Sequence, residues 1–314
     1  MTDSACPEVS VILPTFNVSP FIGAAIESVL QQNFSNFELL VMDDGSSDDT
    51  VDIARSFNDP RVTVYPREHR GPTHSMNEAI KLARGRWLAF LDGDDTWAPA
   101  KLQRHVEHMI ANPELDLTFC RSRMIDEQGN NLHITSPRWK GTLSYRQLLI
   151  SNPAANGSSI FVDREALLRA GYFDTSFSAS YDHELWLRVA LLRPDNMACI
   201  PETLTYYRRR SGQITADPYV MEQGWRQLID KHRQLNPEIV NALEPKSRSN
   251  LCRYLAAIAY ECGEIKLGLH YIKESLVSAP LLFLRTGRSY LVTGALLARG
   301  VLGGLLPGLF QRRL

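Results

Sequence analysis

Residues 87–99 read WLAFLDGDDTWAP, an apolar run that ends on three aspartates. Trp87 to Leu91 has the length and composition of a strand covered on both faces. Asp92, Asp94 and Asp95 then stand together where that strand ends. Carboxylates this close repel one another unless positive charge is shared among them. An acidic pair with one residue between suits a divalent cation. Mg²⁺ or Mn²⁺ binds through one or two carboxylates, while water and substrate phosphates supply the other oxygens. A solvated acidic turn capping the next helix looks the same, and Asp95 is placed to cap a helix starting near Pro99. On its own, D-x-D leaves both readings open.

The pattern upstream supplies a context. VSVIL (9–13), FELLVM (37–42) and VTVY (62–65) are short apolar runs with the look of buried strands. Helical segments separate them. Ser19 and Pro20 read as N-cap and first position before FIGAAIESVLQQ. DDTVDIARSF starts acidic, and THSMNEAIKLARG stops at Gly85. This alternation predicts an α/β domain with a largely parallel sheet between helices. In open α/β sheets ligands sit outside the carboxyl ends of the strands. Strands one, two and four are followed by PTFN (14–17), DDGSS (43–47) and DGDD (92–95). Asn17, Asp43, Asp44, Asp92 and Asp94 are therefore expected to face one cleft. DDGSSDDT is also rich in turn residues, so a turn role stands beside a ligand role for Asp43 and Asp44. Asp48 and Asp49 read as helix caps.

After residue 115 the pattern is mixed. LDLTFCRSRMIDEQGNNLHI predicts two strands joined at Gly129-Asn130, and SSIFVDREALLRAGYFD a strand and a helix. YDHELWLRVALL predicts a helix with Leu185, Val189 and Leu192 inward. Beyond about residue 216 the chain reads as helical. YLAAIAYECGEIKLGLHYIKESLVSAP resembles one helix-turn-helix unit of tetratricopeptide type, broken at Gly263 and closed by Pro280. One unit is too few for a solenoid, so a packed helical appendage is expected.

The 314 residues carry a formal net charge of -1, which gives no electrostatic reason to expect nucleic acid as a partner. The five cysteines (6, 120, 199, 252 and 262) lack C-x-x-C spacing and suggest a reducing compartment, without a disulfide framework or zinc site. MTDSACPEVSVILP has no basic stretch followed by a long apolar run, so no signal peptide is read and a cytoplasmic location is expected.

VSVILPTFN, VMDDGSSDDT, ARGRWLAFLDGDD and YDHELWLRVA stand in the order and spacing of the family 2 glycosyltransferases. Over roughly residues 9–215 the chain resembles that family, whose members of this architecture often build bacterial cell-surface polysaccharides. The resemblance implies a GT-A fold: a nucleotide-binding half over about residues 1–115, an acceptor half over 116–215, and then the helical region 216–314. It also implies an inverting transfer from a nucleoside-diphosphate sugar, such as a UDP-sugar, to a glycan or lipid-linked hydroxyl acceptor. By the same resemblance Pro14, Thr15 and Asn17 would line the nucleotide pocket, with Asp43 and Asp44 at base and ribose. A carboxylate there can accept a hydrogen bond from a uracil imide N–H. Asp92 would meet the ribose or a metal-bound water, and Asp94 the Mg²⁺ or Mn²⁺ ion itself. Aligning on Leu185, Trp186, Leu187 and Arg188 places Asp182 where the family has its catalytic base.

The chain departs from the family pattern in places. Tyr181 replaces an acid, His183 an aromatic, and Met76 an arginine that usually contacts the nucleotide. Glu184 is thus a rival base, and His74 or Arg70 a substitute contact. In YYRRRSGQIT (206–215), Arg208, Arg209 and Arg210 follow Tyr207, with Arg210 where the family often has His. Arg208 and Arg210 are candidates for the diphosphate, since a guanidinium fork suits phosphate oxygens. A solvated basic turn is the alternative.

SYLVTGALLARGVLGGLLPGLF (289–310) is apolar, but Arg299 interrupts it and Pro307 breaks it. A spanning helix needs about 20 apolar residues with few charges. The segment reads as an interfacial helix at the cytoplasmic membrane face, with Arg285, Arg288, Arg312 and Arg313 at headgroups, or as a helix packed on the protein. Two other functions fit less well. A sugar-nucleotide pyrophosphorylase needs a glycine-rich basic loop after the first strand, where this chain has PTFNVSP. A non-catalytic protein that binds nucleotide sugars or acts as a scaffold would not need Asp92, Asp94 and Asp182 together.

Overall fold

The computed structural model describes residues 6–210, 212–284 and 287–305. The chain divides into two compact units. The first comprises the described part of Met1–Tyr145 with Asn152–Ser176 and Tyr181–Arg210. The second comprises Arg146–Ser151, Phe177–Ser180 and the described part of Ser211–Leu314.

The first unit begins with the expected alternation: β1 (Val9–Thr15), α1 (Ser19–Leu30), β2 (Phe37–Asp43), α2 (Thr50–Arg55), β3 (Val62–Pro66), α3 (Pro72–Leu82) and β4 (Trp87–Phe90). β1 pairs in parallel with β2 and β4, and β2 with β3, so this half has the order β3-β2-β1-β4. β2 and β4 are buried throughout and β1 nearly so. This is what parallel strands require when helices cover both faces. Ile22, Ile26 and Val29 of α1 recur at helical spacing and pack on Val11, Leu13, Leu39, Val41 and Ala89.

The capping expectation for Ser19 is corrected, and those for Asp48 and Asp49 divide. Val18, not Ser19, occupies the N-cap of α1 and makes no side-chain cap bond. The amides of Val18 and Ser19 donate instead to Thr50 Oγ1 at 2.9 Å and Asp48 Oδ2 at 3.1 Å. Asp48 also accepts from the Thr50 amide, so it serves two helices, while Asp49 sits at the N-cap of α2 without bonding it.

The chain continues through β5 (Thr96–Trp97), α4 (Lys101–Ala111), β6 (Leu117–Ile125), β7 (Asn131–Thr135), α5 (Tyr145–Ile150), β8 (Ile160–Asp163), α6 (Arg164–Ala170), α7 (Tyr181–Ala190) and β9 (Met197–Arg208). The expected turn at Gly129-Asn130 joins β6 to β7. β8 inserts antiparallel between β4 and β6, β9 runs parallel to β6, and β5 pairs antiparallel with β9. The sheet is then ordered β3-β2-β1-β4-β8-β6-β9-β5, with β7 on β6. Because β8 abuts β4, the 3₁₀ turn Gly157–Ser159 before it lies beside the aspartate loop. Helix α7 buries Leu185, Trp186, Leu187 and Val189, while Leu192 beyond its end is only half-buried.

The described second unit is mainly helical: α8 (Pro218–Leu235), α9 (Pro237–Glu261), α10 (Ile265–Ser278), α11 (Pro280–Leu284) and α12 (Gly287–Leu305). Gly263, at φ +81°, breaks the chain between α9 and α10. Cys252, Leu255, Ile258, Tyr271, Ile272, Phe283 and Leu296 form its core. Leu296 of α12 packs so tightly on Gly268 of α10 that a Cβ there would come within 2.6 Å. One face of α12 is thus packed on the protein. Pro307, Arg285, Arg312 and Arg313 lie outside the described residues. No helix among the described residues is long and apolar enough to cross a membrane.

Candidate active site

The carboxyl ends of β1, β2 and β4 meet as the pattern predicts. Thr15 ends β1 opposite Asp43 in register, and its hydroxyl donates to Asp43 Oδ1 at 3.4 Å. Gly93 lets the aspartate loop close onto β1, since a Cβ there would lie 3.0 Å from Thr15 Cγ2 and 3.4 Å from the Pro14 carbonyl. Pro14, Thr15 and the 92–95 loop are therefore in direct contact. Asn17 adopts φ 50°, its amide donates to Ser46 Oγ, and its side-chain oxygen accepts from the Ser47 amide. It ties the first two strand-end loops together.

Ser158 organises the aspartate loop, though nothing in GSSI marked it in the sequence. Its hydroxyl donates to Asp95 Oδ2 at 2.6 Å and accepts the Asp92 amide at 3.0 Å. Asp95 is fully buried and also accepts the Arg208 amide at 2.8 Å. Burial above all, then the charges of Asp94 and Asp92, holds its pKa well above the ordinary range. Asp95 is a structural acid inside the fold, not the helix cap expected from the sequence: Ala100 stands at the N-cap of α4.

The arginines divide. Arg208 is 6% exposed, and its Nε donates to the Asp94 carbonyl while Nη1 donates to the carbonyls of Asp126 and Glu127. Its guanidinium is turned into the protein and clamps backbone, which corrects the expectation of a phosphate contact. Arg210 instead pairs with the Asp94 carboxylate at 2.6 Å, at the mouth of the cluster.

Asp182 lies in the first turn of α7, just after Ser180 at φ 59°. From a distant part of the chain its charge acts on the aspartate loop and helps to raise Asp92. Asp92 is pushed up to about 7 by burial first, then by Asp94 and Asp182, against the opposing pull of Ser158 and Arg210. Asp182 is itself raised by burial, offset by the His183 amide, which donates to Oδ1 at 2.7 Å. Tyr181 stands in the same field. Burial and the charges of Asp92 and Asp182 keep its phenol protonated well above the usual range.

Glu184 is corrected as a rival base. It is fully buried, and Arg188 grips both its oxygens at 2.8 Å while donating onward to the carbonyls of Ala170 and Tyr172. Removing one partner of a buried pair leaves the other charge uncompensated, at a cost of about 3–5 kcal/mol. Glu184→Ala is expected to lose about that much stability in urea titration; an unchanged midpoint would remove this structural role.

Asp43 and Asp44 are almost fully buried. Asp43 accepts the amides of Gly45 and Ser46, which makes it the turn residue of its loop. Asp44 accepts the amides of Arg70 and Gly71 and the Ser75 hydroxyl, with His69 Nδ1 at 2.9 Å. Beside it opens a cavity of about 230 Å³ lined by Arg67, Arg70, His74, Ser75 and Glu78 among others. Met76 is buried in α3, whereas both expected substitutes, Arg70 and His74, border this cavity. Phe16, stacked on His69 with centroids 4.3 Å apart, is an exposed aromatic that the sequence reading did not single out.

The donor set suits a hard cation. Asp92, Asp94 and Asp182 share one field in which Arg210 is the cation that opposes Asp92's proton affinity. The described residues contain no cluster of three or more His, Cys, Asp or Glu side chains able to cage a metal. An ion held through one or two carboxylates, with a diphosphate and water completing its shell, fits this arrangement.

Comparison with known proteins agrees with the geometry. Residues 10–171 match the family described as glycosyl transferase family 2. Among curated relatives, Escherichia coli UDP-Glc:alpha-D-GlcNAc-diphosphoundecaprenol beta-1,3-glucosyltransferase WfgD is 33% identical over 193 residues, 61% of this chain and 72% of that protein. Residues 1–349 of S. aureus TarS, in complex with UDP-GlcNAc, superpose with a TM-score of 0.60 at 19% identity, covering 97% of this chain and 93% of that one. The mannosyltransferase PcManGT of Pyrobaculum calidifontis, in complex with GDP-Man and Mn²⁺, gives 0.61 at 20% identity over 98% and 89%. The three strand-end motifs and the motif at the start of α7, the shared sheet and the matched family together identify this chain as a member of glycosyl transferase family 2, with the GT-A type of fold.

Proposed function

We propose that the protein is an inverting glycosyltransferase that moves a sugar from a UDP-sugar to a hydroxyl of a glycan or lipid-linked acceptor in cell-surface polysaccharide, lipopolysaccharide or glycolipid assembly. The observation that carries this reading is the electrostatic cluster of Asp92, Asp94 and Asp182, which unites the strand-end loop of β4 with the start of α7. In this reading Asp182 takes the proton of the attacking hydroxyl, for which its burial-raised pKa makes it a stronger base than a solvated aspartate. Asp94, with Asp92, would hold Mg²⁺ or Mn²⁺, which when bound neutralises charge on the departing diphosphate. Arg210 at the same oxygen would turn to the phosphates. Pro14, Thr15, Asn17, Asp43 and Asp44 would frame the nucleotide, with its base at the cavity beside Asp44. The donor and acceptor in WfgD's name, and UDP-GlcNAc in the TarS complex, support a uridine donor and a lipid-diphosphate acceptor. The Mn²⁺ of the mannosyltransferase complex supports the cation.

A screen of nucleotide sugars by thermal shift, with and without Mn²⁺, tests this. Metal-dependent stabilisation by a UDP-sugar is expected, and no response to any nucleotide sugar would sink the proposal.

We place the acceptor at the cytoplasmic membrane face. Leu281, Leu284, Leu291 and Leu297 of α11 and α12 are more than half exposed, an apolar face left outside the core of the second unit. Such a face can lie in a lipid interface without spanning it. Full-length protein is expected to co-sediment with anionic liposomes at low salt, and Leu281→Ser/Leu291→Ser to reduce this at least several-fold. Equal sedimentation of the two would exclude the contact. Substitution is preferred to truncation because Phe283 and Leu296 belong to the core.

A further inference from the structure

At the end of β4 opposite to Asp92, a recess of about 250 Å³ is walled by Arg86, Trp87, Asp116, Asp163, Arg169 and Arg193 among others. Its three guanidinium groups arrive from three places: the residue before β4, helix α6, and the segment after α7. The carboxylates are already engaged. Asp116, 2% exposed, accepts from Arg193 at 3.0 and 2.8 Å and from Asn196 at 2.7 Å, with Arg169 at 3.5 Å. Asp163 accepts the Ala166 amide at the start of α6 and lies 3.9 Å from Arg86. Three arginines thus face two carboxylates, which leaves one positive charge over. The side chains of Arg86 and Arg169 are 65% and 56% exposed, so their remaining N–H groups are accessible.

Trp87, 2% exposed, floors the recess, and Arg86 stacks on its indole at 4.7 Å, which holds that guanidinium at the rim. Guanidinium forks converging from three elements suit a tetrahedral oxyanion, which offers oxygens in several directions. The volume lies below the roughly 300–1,000 Å³ of pockets for drug-sized ligands, so the bound group is small.

We propose that this recess is a second ligand site, separate from the active-site cleft, that binds a phosphate or pyrophosphate group. The chemistry is common to a free anion and to a lipid headgroup, and the proposal does not depend on the donor or acceptor assigned above.

The test is calorimetric titration of the full chain with sodium pyrophosphate at low salt in EDTA. Saturable binding is expected, weakened at least about tenfold by Arg86→Gln/Arg169→Gln, the scale of lost charge-assisted hydrogen bonds. Arg210→Gln, in the cleft, is expected to leave that binding in place. Both substituted arginines are more than half exposed, and a thermal melt checks that the double variant folds. No binding by the wild type, or weakening by Arg210→Gln but not by the double variant, would overturn the proposal. Vesicles containing phosphatidic acid separate the sources. Capture lost in the double variant and competed by pyrophosphate assigns a lipid phosphate; pyrophosphate binding with equal vesicle capture of both proteins assigns a free anion.

Discussion

Asp182→Asn is expected to lower turnover at least about a hundredfold, the usual scale of a lost general base, while leaving donor affinity nearly unchanged. The amide keeps the side-chain shape and can still accept the His183 amide at the start of α7, so the fold around it is retained. It cannot take a proton. Single-turnover kinetics beside UDP titration checks the split. An active Asp182→Asn would end the assignment, and Glu184 would not inherit it, because Arg188 occupies both its oxygens. The pH profile carries the same signature. Burial raises Asp182 above the ordinary aspartate value, so its protonated, inactive form persists to higher pH than for a solvated aspartate. Turnover is expected to rise with pH through that raised value, and Asp182→Asn should abolish the acidic limb.

Asp94→Ala is expected to abolish metal-dependent nucleotide binding and to reduce activity by two orders of magnitude or more, about the loss seen when a charge-stabilising group is removed. Its carboxylate pairs with Arg210 at 2.6 Å, and removal would take away both the proposed ion contact and that arginine's anchor. Titration of UDP with Mn²⁺ and with EDTA measures this. Equal affinity under both conditions, and in the variant, would rule out the ion. Asp92 adds a pH term. Without a cation it holds a proton up to about 7, and a cation must displace that proton to use the carboxylate. Ion affinity should therefore fall as pH drops through about 7, with protons released on binding below it.

Glu184 shows how near the sequence comes to the answer. Glu184 and Arg188 stand four apart, the spacing at which helical side chains meet. That signal was present, but only full burial makes the pair structural instead of surface decoration. Arg208 and Arg210 look alike in YYRRR. β9 and the 126–127 turn draw Arg208 into the protein, while Arg210, just past the end of β9, reaches Asp94. Local chemistry could not separate them, because the deciding acceptors lie about a hundred residues away or come from backbone whose position depends on sheet order.

The sequence by itself determined the parallel half of the sheet, the placing of three polar loops on its carboxyl edge, and the helical character of the chain beyond residue 216. These follow from short-range periodicity: apolar runs of strand length, helices between them, and polar residues where each strand stops. Tertiary structure alone decided that β8 inserts antiparallel beside β4, bringing Ser158 to Asp92 and Asp95. It alone decided that Asp95 and Glu184 are structural while Asp92, Asp94 and Asp182 share one field. It also decided that α12 packs one face on α10 and leaves another exposed. The physical reason is that a carboxylate's role depends on its desolvation and its neighbours, and both arise from pairings between strands and helices far apart in the chain.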